Sequence, residues 1–206
     1  MIGLLRYAIL RGLRDGTLIT LLAAPTVMVS MPAVAVWLSG GSVPMPPADV
    51  MTAMLLFHAA LMGSLASFMA FRNEIATRSI GTFVLAAPSW LIPAASTIYG
   101  WIVGTIASSL SAAGMFVTGW GVPPDAGSAM VNVAIMALAA ASVGSMGVMI
   151  SSSFSTVAWF FTGLVVIIGL VHGDNAASGI ETLAIVLVAL ISGGIAAVIV
   201  ERRCAT

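Results

Sequence analysis

An all-α integral membrane protein with six spans is the fold class this sequence predicts, and three observations predict it. Of the 206 residues, 60% are hydrophobic and 7% are charged, against roughly 25% charged in an average soluble domain; the mean hydropathy is +1.15. A bilayer core of about 30 Å needs about 20 apolar residues per helix, and six such runs use most of the chain. The third observation is charge placement. There is no lysine, and the seven arginines occupy three places: Arg6, Arg11 and Arg14, then Arg72 and Arg78, then Arg202 and Arg203. With six spans these places fall on one side, which the positive-inside rule makes cytoplasmic together with both termini. The loops assigned to the other side carry Asp49, Asp125, Asp174 and Glu181 and no base.

Residues 1–15 predict an amphipathic helix lying in the interface. Ile2, Leu5, Ile9 and Leu13 recur at helical spacing, while Arg6, Arg11 and Arg14 fall on the other side of the projection. Arginines interrupt the apolar run and no small-residue cleavage site follows it, so the segment is not a secretory signal and is expected to be retained. Asp15-Gly16 breaks the helix. Span one covers 17–38, with Pro25 and Pro32 expected to kink it; an external Gly- and Pro-rich loop follows. Span two covers about 50–71.

Span three covers about 90–118 and contains Gly100 and Gly104, followed by Ser108. Small residues at i and i+4 let helices approach closely, so this is a packing face, within the protomer or across a dimer. After a loop with Pro123-Pro124-Asp125, span four covers 129–150. Ser151–Ser155 is a short turn, span five covers about 156–171 and span six about 180–200. The fifth run is short, and the region between spans five and six is read either as crossing or as re-entrant. Trp37 and Trp120 at external ends and Trp90 at a cytoplasmic end are expected to be interfacial anchors, Trp101 and Trp159 packing residues.

Few residues point to chemistry. His58 is the one titratable side chain placed deep in a span; it is a candidate polar site, or a hydrogen bond between helices. Cys204 is a tail thiol that excludes an intrachain disulfide. Without lysine there is no phosphate-binding GxxxxGK[ST] loop, and HExxH, CxxC and GxSxG are missing. No carboxylate lies at mid-membrane, where ion-coupled transporters keep theirs. The chain is expected to be no enzyme, and to take the energy for any transport from elsewhere.

The charged segment 72–88 stands between two spans. Arg72, Glu74 and Arg78 each cost about 2.5 kcal/mol or more at mid-bilayer, so they must lie in water or against protein. Glu74, Arg78, Gly81-Thr82 and then Pro88 resemble the Glu, Arg, Gly-Thr, apolar, Pro pattern after the second span of type 2 ATP-binding-cassette permeases. The amino-terminal helix resembles that family's elbow helix, and six spans with both termini inside match its topology. The chain is short for the family, and its coupling stretch carries fewer charges than is usual.

The resemblance implies a single transmembrane domain serving as the permease subunit of an exporter in the cytoplasmic membrane of a bacterium. Its partners would be two copies of a separate ATPase subunit, a second permease copy or paralogue, and membrane lipid, with no nucleic acid. ATP and magnesium would sit on the ATPase, and this chain would hold no cofactor or metal. Arg72, Glu74, Arg78, Gly81, Thr82 and Pro88 would form the coupling segment that docks there. The implied cargo is amphipathic or hydrophobic: a drug-like natural product, a lipid or a peptide. A haem-exporter-like permease and a non-transporting scaffold are the alternatives.

Overall fold

The computed structural model describes residues 1–41, 46–77, 79, 88, 90–120, 126–150, 187, 190–196, 198–200 and 202. Among the described residues all regular structure is helical: α1 (Ile2–Arg14), α2 (Thr17–Leu38), α3 (Ala48–Ala70), α4 (Arg72–Ala76), α5 (Leu91–Val117) and α6 (Ala126–Ile150), with further helical residues in 190–200. Ala48–Ala70, Leu91–Val117 and Gly127–Ile150 are long and apolar enough to cross a membrane; Thr17–Met31 and Leu190–Val200 are shorter apolar helices. Large apolar side chains, among them Met31, Trp37, Phe116 and Val131, face outward. Such surface is rare on soluble monomers, and the chain is a membrane protein. Span five and residues 180–186, 188, 189 and 197 of span six lie outside the described residues, as do Ser151–Ser155, Trp159 and Cys204.

The turn between α1 and α2 is set by Gly16, whose φ of 72° is cheap for glycine alone. Pro25 and Pro32 do not end α2, which continues to Leu38. Helix α3 is the centre of the bundle and packs on α5 and α6. Its crossing with antiparallel α5 follows one stripe at steps of four. Ser108 Oγ donates to the Leu55 carbonyl (2.8 Å), and Ser96 Oγ donates to the Ser67 carbonyl (2.6 Å). Between these hydrogen bonds the helices touch through glycine. A Cβ on Gly104 would lie 2.6 Å from the Ala59 carbonyl oxygen, and one on Gly100 would lie 2.6 Å from Ser67 Cβ and 2.8 Å from Ala141 Cβ. The packing face expected at Gly100, Gly104 and Ser108 therefore works inside the protomer. Gly63 and Gly144 make the matching approaches between α3 and α6.

Two apolar clusters fill the bundle. One gathers Leu4, Ala8, Leu21, Phe71, Ile92 and Tyr99 at the α1 end, and Ala196 and Val200 belong to it. The other gathers Val29, Met51, Leu55, Met115, Trp120 and Val133 at the opposite end. Trp120 thus departs from its expected place as an exposed anchor, being only 8% exposed. The cause is the end of α5. Gly119 is left-handed (φ 82°), its N–H donates to Phe116 O (3.1 Å), and the Trp120 N–H donates to Met115 O (3.0 Å). This paired closure folds the chain back on the helix and brings Trp120 onto Met115. Trp37 and Trp90 do stand exposed at helix ends. Trp101 links helices, its indole N–H donating to the Ala134 carbonyl (3.0 Å).

The face of α1 also departs from expectation. Leu4, Ala8 and Gly12 are its buried residues, whereas Ile2 and Leu13 are exposed. The physical reason is contact with the bundle: the Tyr99 hydroxyl lies 2.6 Å from where a Gly12 Cβ would stand. A stripe of larger side chains would hold α1 too far away.

Candidate functional site

The site begins with the way α3 ends. Phe71 leaves helical geometry (φ −126°, ψ 16°) and is wholly buried, and a single further turn, α4, follows. Its backbone is closed by Ile75 N–H to Phe71 O (3.0 Å) and Thr77 N–H to Asn73 O (2.8 Å). That turn directs Glu74 and Ile75 inward and leaves Asn73 and Ala76 exposed. Glu74 is 8% exposed. A carboxylate so placed needs partners, because burying an unpaired charge is costly.

Helix α1 supplies them. Tyr7 and Arg11 are one helical turn apart and so share a face. The Tyr7 hydroxyl donates to Glu74 Oε1 at 2.5 Å, and Arg11 Nη1 donates to both carboxylate oxygens. Arg11 Nε donates to Asp15 Oδ2 at 3.3 Å, so one guanidinium joins two acids. The Tyr7 ring stacks on Phe71, with centroids 6.1 Å apart and an interplanar angle of 18°. Burial, together with the Glu74 hydrogen bond, pushes the Tyr7 phenol above its ordinary value. Burial alone would lower the Arg11 value; the bonds to Glu74 outweigh it and the guanidinium is held charged more firmly.

The arrangement is a clamp between the first helix and the segment that follows α3. It holds ions in fixed geometry and presents no nucleophile with a base. Among the described residues no three His, Cys, Asp or Glu side chains gather that could hold a metal ion.

The residues predicted from sequence are divided by the structure. Arg11 is set apart from Arg6 and Arg14: those two are exposed, while Arg11 turns inward to Glu74 because it adjoins the packed Ala8–Gly12 stripe. Glu74 likewise faces α1 instead of projecting outward for docking. Arg72 lines a cavity beside α1. Pro88 is exposed, and its carbonyl accepts from Leu91 N–H (3.0 Å) as α5 starts. Arg78, Gly81 and Thr82 lie outside the described residues. His58 is buried in α3, and its Nδ1 has no hydrogen-bond partner among the described residues. Tyr7 was missed by sequence reasoning; its signal was its place one turn before Arg11. Gly63 and Ser67 on α3 and Ser96 on α5 were missed as well, their signal being small residues spaced by four along each helix.

Comparison of the chain with protein-family models, with curated proteins and with solved structures finds no match.

Proposed function

We propose that this chain is the membrane-spanning permease subunit of an ATP-binding-cassette exporter, with ATP hydrolysed on separate subunits docked at its cytoplasmic face. The observation that carries the reading is the clamp of Tyr7 and Arg11 on Glu74. A connector between two membrane helices transmits a partner's movement only if it is fixed to something stiff. Here the connector is fixed to α1 by charge-assisted hydrogen bonds, the stronger class, and α1 is seated on α5 where Gly12 meets Tyr99. A displacement of the connector therefore acts on α1, α3 and α5 together.

In this reading α1 is the elbow helix, and the tie through Glu74 is internal. Docking falls to the stretch beyond it, carrying Arg78, Gly81 and Thr82 up to Pro88. The packing of Ala196 and Val200 in the same cluster as Leu4 supports a carboxyl-terminal helix that ends on the side of α1, as six spans require. The cargo would be amphipathic or hydrophobic, passing along a path enclosed with a second permease chain.

The test is a gentle-detergent pull-down of the tagged chain from its native membranes, followed by mass spectrometry and an ATPase assay. A stoichiometric ATPase subunit that hydrolyses ATP is expected. A clean preparation without one would overturn the exporter reading and favour a scaffold.

A further inference from the structure

A cavity of about 190 Å³ lies where α1, the start of α2, the end of α3, α4 and α5 meet. The buried polar side chain in its lining is Tyr99, 3% exposed. Gly12, also in the lining, makes room for the end of that ring: a Cβ on Gly12 would stand 2.6 Å from the hydroxyl. Among the described residues the Tyr99 hydroxyl has no hydrogen-bond partner. A buried phenol ordinarily finds one, and an occupant of the cavity is placed to supply it. A phenol donates readily, so the group it calls for is an acceptor oxygen.

The charges around the cavity argue that this acceptor is neutral. Two guanidiniums, Arg11 and Arg72, stand with two carboxylates, Asp15 and the Glu74 bonded to Arg11, so the cluster has no net charge. Nor is a cation left over: Arg11 is bonded to both acids, and Arg72 has an interaction of its own. An ionic ligand would have to displace one of these contacts; an uncharged one would not.

Depth and size narrow the choice. Thr17 opens apolar α2, Ala70 closes apolar α3, and both line the cavity together with Leu21 and Met69. The cavity therefore lies where hydrocarbon meets headgroups, the level of a membrane lipid's ester carbonyls. A cavity of about 150 Å³ holds benzene, so this one admits a segment of a lipid and not the whole molecule.

We propose that the cavity binds the glycerol-ester segment of a diacyl lipid, whatever its headgroup, with an ester carbonyl accepting the Tyr99 O–H and the adjoining methylenes on Leu21 and Met69. The lipid is a fixed component between α1 and the bundle. The assignment stands apart from the exporter reading, since it needs only a chain that resides in a membrane.

The experiment is native mass spectrometry of the purified full chain in gentle detergent. The chain is titrated separately with dioleoyl phosphatidylcholine, its dioleyl ether analogue (which lacks the carbonyls), dioleoyl phosphatidylglycerol, dioleoylglycerol and the soluble ester triacetin. One ester lipid is expected to bind about fivefold more tightly than the ether lipid, the effect of one neutral hydrogen bond. The three ester lipids should agree within about twofold, since no charge is read. Tyr99→Phe removes a hydroxyl that bonds no described residue, so the variant should stay folded; it is expected to bind ester and ether lipids alike. Equal binding of ester and ether lipids by the parent, or an ester preference that survives Tyr99→Phe, overturns the proposal. So does a tenfold preference for the anionic phosphatidylglycerol, which would mean that a headgroup is read instead. Triacetin binding as tightly as the lipids would identify a soluble ester as the ligand, and a parent chain that retains no lipid would leave the cavity to water; either result overturns it too.

Discussion

The Arg11 guanidinium binds both oxygens of the Glu74 carboxylate, joining residues that are far apart in the chain and lie on either side of two long helices. Loss of one partner leaves the other's charge in a place where water reaches it poorly. A fully buried pair broken in this way loses about 3–5 kcal/mol. Here the side chains retain 18% and 10% exposure, so Arg11→Met is expected to cost about 2 kcal/mol in unfolding measured in detergent. The double variant Arg11→Met with Glu74→Met leaves no orphaned charge and should be more stable than Arg11→Met alone. If the double variant were the weaker of the two, the pair would not be what holds α1 to α4.

Tyr7 gives this clamp a pH dependence. Its phenol is raised above the ordinary value near 10, so the folded chain holds that proton more tightly than the unfolded one. The sign follows: the contribution is fully present below about pH 10 and is lost as pH rises through the folded value. Tyr7→Phe should therefore flatten the decline in stability above about pH 10 relative to the parent, while lowering stability at neutral pH by about 1.5–3 kcal/mol for one hydrogen bond to a charged group. Parallel alkaline curves for the two proteins would remove Tyr7 from the account.

The α3–α5 crossing predicts that filling a gap costs more than deleting a bond. Gly104→Ala puts a methyl 2.6 Å from the Ala59 carbonyl oxygen, and backbone cannot step aside as a flexible side chain does; about 1–3 kcal/mol is expected for such overpacking. Ser108→Ala removes a hydrogen bond to a carbonyl that lies within helix α3, and hydrogen bonds between membrane helices average about 0.6 kcal/mol. Gly127, where nothing lies within 4 Å of an added Cβ, serves as the control and should tolerate alanine. Unfolding by denaturing detergent would rank the three, and a larger loss in Ser108→Ala than in Gly104→Ala would refute the packing argument.

The helices were legible because an apolar run of helical length has few alternatives in a membrane. Span one, predicted at 17–38, has those bounds in α2, and span three, predicted at about 90–118, is Leu91–Val117. What was not legible depended on distant partners. A helical projection groups Arg11 with Arg6 and Arg14; only the docking of Leu4, Ala8 and Gly12 on the bundle turns Arg11 inward. Gly100 and Gly104 announced a close approach, but the sequence did not identify the Ala59, Gly63 and Ser67 surface that receives them. Trp120 looked like an anchor because aromatic belts are common at span ends. The adjoining Gly119 was the sign that the chain turns back. Arg78, Gly81 and Thr82, on which the family resemblance leans, lie outside the described residues.

The last prediction takes the exporter reading to its mechanical consequence. If Glu74 fixes the connector to α1, loosening the clamp should separate two activities that normally move together. With the ATPase subunit bound, Arg11→Met is expected to leave ATP hydrolysis within about twofold of the parent, because no ATPase group is touched. ATP-driven transport of a hydrophobic dye into everted vesicles, which reports efflux in the cell, should fall by about tenfold, the effect of about 1.4 kcal/mol lost from the coupled step. Replacing Glu74 and Arg78 together with alanine should do the same and also weaken retention of the ATPase, since Arg78 lies on the proposed docking side of the tie. The contrast between the two variants separates internal coupling from docking. Normal efflux in Arg11→Met, with the ATPase retained, would mean that the connector transmits movement to α3 and α5 without the first helix.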